Sequence, residues 1–325
     1  MATIYLTEQG SVLKKTYKRI LIEKDGEKLL EIPEFKVDRI LIFGNVHITT
    51  PAINFLLDNG IDTSFLSLKG KFRGRLAPVE SKNIYLRMAQ FKKYQDNNFK
   101  INFGKIIVER KIKNFIFILH RYLRNHPEID LSFYLFSLKK NLNSLARKES
   151  LSSIRGVEGK SSAIYFEALG RMFRGGLQFT KRSKNPPTDP INSLLSLGYI
   201  LITNELFSLL CATGFDAYLG YLHEIDYGRP SLALDLVEEF RQPVIDTFTL
   251  SLINKKVLNE NDFEKRANQG YYLREEAQKK YFRHYEKMLT KENNHWRKIF
   301  QRQVQKLAEA ILKENITYKP YAREK

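Results

Sequence analysis

Between Thr3 and about Leu76 the chain runs in short apolar, β-branched segments, TIYL, RILIE, RILIFG and SFLSL, separated by turn residues such as Lys24-Asp25-Gly26-Glu27. That alternation predicts a small sheet. One helix is expected within it at Thr50 to Asn59, where Thr49 or Thr50 can cap, Pro51 suits the first turn and Gly60 stops the run. After Pro78 the apolar spacing becomes helical, with long basic stretches between, and stays so nearly to the end. The change of texture places a boundary at residues 77 to 83. The predicted fold class is α+β, a small β-rich N-terminal domain followed by a larger all-helical C-terminal domain.

Within the helical part, INFGKIIVERKIKNFIFILHRYL reads as an amphipathic helix whose basic residues form a solvated outer face. Glu275 to Lys313 reads as one long basic helical pattern carrying Tyr281, Tyr285 and Trp296, able to track DNA or to cover a core. Asn192 to Phe215 is the most apolar long segment, but Asn204, Glu205 and Ser208 inside it suit a buried helical hairpin better than a bilayer, so no membrane span is predicted. The final YKPYAREK, with a proline and little apolar material, reads as a frayed or partner-binding tail. The N-terminal MATIYLTEQGSVLKK offers no apolar stretch followed by a small-residue cleavage site and does not read as a secretory signal.

Charge adds a class of partner. With 54 Lys+Arg against 36 Asp+Glu the formal net charge is +18, a field that attracts phosphate backbones or anionic surfaces. The same charge would also serve solubility alone. The single cysteine, Cys211, lies between Leu210 and Ala212 and reads as a small core residue. It excludes a disulfide framework and a cysteine-rich zinc site, and it suits a reducing cytoplasm.

Three segments carry residues suited to a divalent metal. In SSIRGVEGKSSAIYFEAL, Glu158 stands between glycines where backbone can approach a ligand, with a helix expected from about Lys160. Its plainer reading is an exposed helix-start glutamate. In KNPPTDPINSLLSLGYILITNELF, Asp189 can cap a helix with Pro190 in its first turn, and the Pro186-Pro187 loop beside Lys181, Arg182 and Lys184 would suit a phosphate backbone. In GFDAYLGYLHEIDYGRPSLALDLVEEFRQPVID, His223 ends an apolar run, Gly228 and Pro230 turn the chain, and Ser231 can cap a helix on which Asp235, Glu238 and Glu239 crowd one side. A cation would relieve that crowding; pairing with Arg241 or Lys255 would do so too. Carboxylate oxygens with one imidazole nitrogen favour Mg²⁺ or Mn²⁺ over zinc. The other histidines, His47, His120, His126, His284 and His295, lack comparable acidic neighbours and are read as structural or surface residues.

These segments resemble the CRISPR-associated integrase and endonuclease family Cas1. The resemblance covers almost the whole chain and rests on SFLSLKGKFRGRL at 64 to 76, RGVEG at 155 to 159, NPPTDPINSLLSLGY at 185 to 199 and GYLHEIDYGRPSLALDLVEEFR at 220 to 241, in that order. It implies a β-rich dimerisation domain over residues 1–80 and a helical metal-binding catalytic domain with a basic C-terminal tail over 81–325. By the same motifs Glu158, His223 and Glu238 would be metal ligands and Asp235 an assisting acid. Where relatives often carry Asp this chain has Glu238, and the adjacent Glu239 leaves open which carboxylate ligates. The resemblance further implies a homodimer that joins a smaller protein, Cas2, and inserts short double-stranded DNA fragments into the CRISPR array with Mg²⁺ or Mn²⁺. Expected DNA contacts near the motifs are Arg155, Lys160, Arg174, Lys181, Arg182 and Arg241, with Tyr165 and Tyr199 positioning a strand end or simply packing. A structure-specific nuclease for branched DNA and a non-catalytic DNA-binding scaffold are the alternatives.

Overall fold

A computed structural model describes residues 2–68, 70, 72–76, 83–174, 176–267, 269–291, 295–313 and 317–322. The chain divides into two compact units, Met1–Glu80 with Gln278–Lys287, and Ser81–Ala277 with Met288–Lys325. Most of the boundary expected at 77 to 83 lies outside the described residues.

The first unit holds β1 (Ala2–Leu6), β2 (Val12–Thr16), β3 (Arg19–Lys24), β4 (Glu27–Pro33), β5 (Val37–Phe43), β6 (His47–Ile48), α1 (Thr50–Asp58), β7 (Asp62–Leu66) and β8 (Phe72–Leu76). Each apolar run of the sequence falls in a strand. One sheet has the order β1-β5-β7-β8 and the other β4-β3-β2-β6. The first is parallel from β1 to β7, with Ile4 opposite Ile40 and Leu41 opposite Ser64. The β3–β4 hairpin turns through Asp25 and Gly26, both at positive φ, the conformation a tight hairpin turn requires. Ile4, Leu13, Ile20, Ile40, Ile42 and Leu56 form its core.

The second unit is built from α2 (Ile84–Gln95), α3 (Asn97–Asn125), α4 (Ser132–Leu145), α5 (Leu151–Met172), α6 (Pro190–Thr213), α7 (Ser231–Val237), α8 (Thr247–Asn254) and α10 (Trp296–Leu312). A two-stranded ribbon, β9 (Phe263–Lys265) with β10 (Tyr271–Leu273), corrects the expectation of an all-helical domain. The long C-terminal pattern is two helices, since α9 (Glu275–Leu289) ends before α10 begins. Residues 278–287 of α9 belong to the β-rich unit, where Phe282 stacks on Tyr5 at 4.3 Å and Tyr5 donates to Glu286 at 2.7 Å. Helix periodicity reads straight through such a handover because it records which face is apolar and not what covers it.

Helix α6 starts as its sequence dictates, with Asp189 accepting from the Asn192 amide at 2.8 Å and Pro190 in the first turn. It is long and apolar enough to cross a membrane, yet it is mostly buried, and Glu205 within it pairs with Arg297 of α10 at 3.3 Å. Cys211 is half-buried rather than in the core. The C-terminal segment corrects a second expectation. Residues 317–322 are docked, with Tyr318 only 4% exposed and Tyr321 against Trp296 and Phe240.

Candidate active site

Three segments distant in sequence meet at one cavity of about 240 Å³. Glu158 comes from α5, His223 from the loop after α6, and Glu238 from the end of α7. Glu158 lies in mid-helix, not at the helix start the glycines suggested. Side chains at Gly156 or Gly159 would meet nothing within 4 Å, so these glycines leave the surface beside Glu158 open.

Asp235 is buried and spends both oxygens on the turn that carries His223. Its Oδ2 accepts from the amides of Tyr221 and Leu222 at 2.6 and 2.9 Å, and its Oδ1 from the His223 amide at 2.8 Å. The same Oδ1 lies 2.7 Å from His223 Nδ1, a bond that places the proton on Nδ1 and leaves Nε2 as the free lone pair. Nε2 faces Glu238 Oε1 at 3.9 Å. The close approach needs Gly220, where a Cβ would stand 2.7 Å from the Ser231 backbone and 2.9 Å from Asp235 Oδ2.

Glu238 is 2% exposed and surrounded by cations. Arg241 holds its Oε1 at 2.9 Å and Lys111 Nζ lies 2.6 Å from its Oε2. Burial alone would push this carboxyl up; Arg241 and Lys111, its largest opposing influences, outweigh it and hold it at about 2. Glu158 accepts from Lys111 and, at 2.8 Å, from Ser162; burial raises its carboxyl, and Lys111 brings it below the ordinary value. Burial disfavours the Lys111 ammonium, yet Glu238 and Glu158 together raise its pKa above the ordinary value. Among the described residues no three acidic, histidine or cysteine side chains form a ready-made ligand cluster. Between the two glutamates stands the ammonium of Lys111. Glu238 Oε2 is buried, and its close partner is the Lys111 ammonium. Two carboxylates and a lone imidazole nitrogen lining one cavity are a donor set that fits a divalent cation.

A family model described as CRISPR associated protein Cas1 matches residues 4–287. The chain belongs to the Cas1 family. A CRISPR-associated endonuclease Cas1 of Thermus thermophilus is 35% identical over 98% of this chain and 94% of its own length, and one from Moorella thermoacetica is 33% identical over 90% and 88%. A Cas1 protein from Thermotoga maritima shares the fold over the whole of both chains, with 25% identity and a TM-score of 0.84. A casposase bound to integration product does so with a TM-score of 0.88 and 24% identity, covering all of this chain and 95% of that one. Family and named relatives make this a CRISPR-associated endonuclease fold of the Cas1 type.

The residues expected on DNA in this Cas1 chain separate into distinct groups. Arg155 lines the cavity and pairs with Glu224, with a further bond to the Leu222 carbonyl at 3.2 Å. Lys160 and Lys181 are exposed. Arg182 and Arg241 sit over the Tyr199 ring at 5.3 and 5.0 Å. Tyr165 and Tyr199 are buried, and both hydroxyls donate to Asp246, at 3.0 and 2.5 Å. Arg174 is paired with Glu128 and lies over Tyr122, and it is not in the wall of the cavity.

Two residues escaped sequence reasoning. Lys111 was expected on a solvated face of α3; it is 4% exposed and sits in the site. Its position gave a signal, since it falls in the apolar stripe with Ile107, Val108, Ile112 and Phe115, but a lysine there also reads as a stem lying along the surface. Arg229, in the cavity wall, was passed over as part of a turn.

Proposed function

We propose that this chain is the metal-dependent DNA endonuclease and integrase of CRISPR adaptation, joining short DNA fragments to a CRISPR array by transesterification. One observation carries the reading: Glu158, His223 Nε2 and Glu238 face one cavity while Asp235 fixes the imidazole. Glu158, His223 and Glu238 would hold Mg²⁺ or Mn²⁺, both of which accept carboxylate oxygen and the second of which tolerates imidazole well. When bound, the ion supplies Lewis acidity for a DNA 3′-hydroxyl or water and offsets charge developing at phosphorus.

The protein's own groups do the remainder. Asp235 keeps the His223 lone pair directed at the cavity, and Arg229 in its wall carries a planar guanidinium of the kind that matches phosphate oxygens. With water as nucleophile the site cuts DNA; with a DNA 3′-end it joins strands. The basic surface holds duplex DNA without reading sequence, so binding weakens as salt rises. Partners in this reading are a second copy of the chain, through the β-rich domain, and Cas2, in the cytoplasm where chromosomal DNA lies.

The test is strand transfer of a short duplex with free 3′-hydroxyls into a supercoiled repeat-containing plasmid, with Mn²⁺ and Cas2, comparing wild type with His223→Ala. Joined product from wild type alone is expected. Nicking without joining would leave only a nuclease, and equal behaviour of the two proteins would overturn the site. A scaffold reading draws on one observation, that Lys111 and Arg241 already pair the two glutamates. It requires DNA binding without strand transfer by wild type.

A further inference from the structure

Lys111 is a residue that the proposed chemistry does not use. It stands on the buried stripe of α3, where Leu or Met would satisfy the packing, and a buried ammonium is costly unless paired. It is paired twice, with Glu158 and with Glu238, from helices α5 and α7. Nζ stands against both carboxylates at once, Glu158 Oε1 and, at 2.6 Å, Glu238 Oε2. A single ammonium lodged between two carboxylates from different segments occupies the place a bridging cation would take.

We propose that Lys111 is a resident cation which holds Glu158 and Glu238 together in the metal-free protein, and that a divalent ion binds by displacing its ammonium. This inference rests on the reading of Glu158, His223 and Glu238 as metal ligands. An ion bridging Glu158 Oε1 and Glu238 Oε2 would lie roughly 2.0–2.6 Å from both oxygens, in the place between them where Nζ stands. Ion and ammonium would be pressed together with like charge in a poorly screened site.

Displacement is mechanically open to Lys111 and closed to its neighbour. The lysine ends a flexible four-carbon stem and lines a cavity of about 240 Å³ into which that stem can swing. Arg241 is held at Glu238 Oε1 and lies over the Tyr199 ring. Exchange keeps the site close to neutral before the ion arrives, so the glutamates do not splay, and it lowers metal affinity by the work of moving the ammonium.

The experiment is Mn²⁺ binding to the full chain without DNA, read from the electron paramagnetic resonance of free Mn²⁺. Lys111→Met keeps length and removes charge; it is expected to tighten Mn²⁺ binding by about tenfold or more, a fraction of the bare Coulomb repulsion it removes. Lys111→Arg keeps the charge and is expected to gain nothing. If Lys111→Met melts early in the absence of metal, the measurement becomes the rise in Tm that Mn²⁺ produces, which must exceed that of wild type. Unchanged or weaker binding by Lys111→Met, with Glu158→Gln and His223→Ala still weakening it, overturns displacement and leaves the metal ligands standing. Wild-type binding indifferent to Glu158→Gln and His223→Ala overturns the ligand assignment itself.

Discussion

Glu238 and Glu239 are adjacent in the chain and almost equally buried, at 2% and 0% exposure, and they face two regions that treat them in opposite ways. Glu238 looks into the cavity, toward Arg241, Lys111 and His223, and its carboxyl sits at about 2. Glu239 looks the other way, toward the C-terminal segment, where burial pushes it up to about 7 against hydrogen bonds from Tyr318, the Tyr321 amide and Gln303. Helix α3 braces both: Lys111 reaches Glu238, and three residues on Asn114 donates to the Glu239 carbonyl at 3.0 Å. Residue type and burial are the same, so the difference lies in what stands opposite. Whole cations hold one glutamate ionised; neutral donors only partly offset the desolvation of the other.

Removing the cationic region's anion should cost most. Glu238→Ala leaves the buried Lys111 and the half-buried Arg241 with too little counter-charge, and about 3–5 kcal/mol of stability should be lost, read from the urea midpoint. A loss no larger than that of a surface substitution would show that the cations escape to water. On the other side, Glu239→Ala strands the Tyr318 hydroxyl, Gln303 and the Tyr321 amide, and should cost about 1–3 kcal/mol. Hydrogen exchange should then rise at residues 317–322 first, and unchanged protection there would refute the docking role of Glu239.

The slope with pH separates the two by its sign. Glu238 is depressed from the ordinary value of 4.5 to about 2, so the folded state binds fewer protons and its contribution is present above pH 4.5 and lost as pH falls toward 2. Glu239 is raised from 4.5 to about 7, so the folded state binds more protons and its contribution is present below pH 4.5 and lost as pH rises through 7. Chemical denaturation of Glu239→Gln between pH 5 and 8 should therefore show a flatter profile than wild type; an identical slope would assign the decline to other groups.

The same comparison shows how far the chain could be read unaided. The acidic stretch after Ser231 was legible, and so was its association with His223, because a Gly-Arg-Pro turn between them brings the chain back on itself. Which glutamate faces the cavity was not, since α7 ends at Val237 and the turn that follows, leading into a π-helix over Arg241–Asp246, sends neighbouring side chains to different sides. The docked tail was misread because Thr317 to Ala322 has little apolar material. It is held instead by Glu239 and by aromatic contacts with residues far away in sequence.

By itself the sequence determined the α+β order, the strands and turns of the first unit, the capped start of α6 and the residue types of the site, because periodicity, turn chemistry and capping are local properties. Tertiary structure alone decided that residues 278–287 join the β-rich unit, that Lys111 enters the site rather than the solvent, and that Glu238 and Glu239 part company. The charge and hydrogen bonds of a buried group depend on which distant segment is packed against it, and local pattern carries no record of that choice.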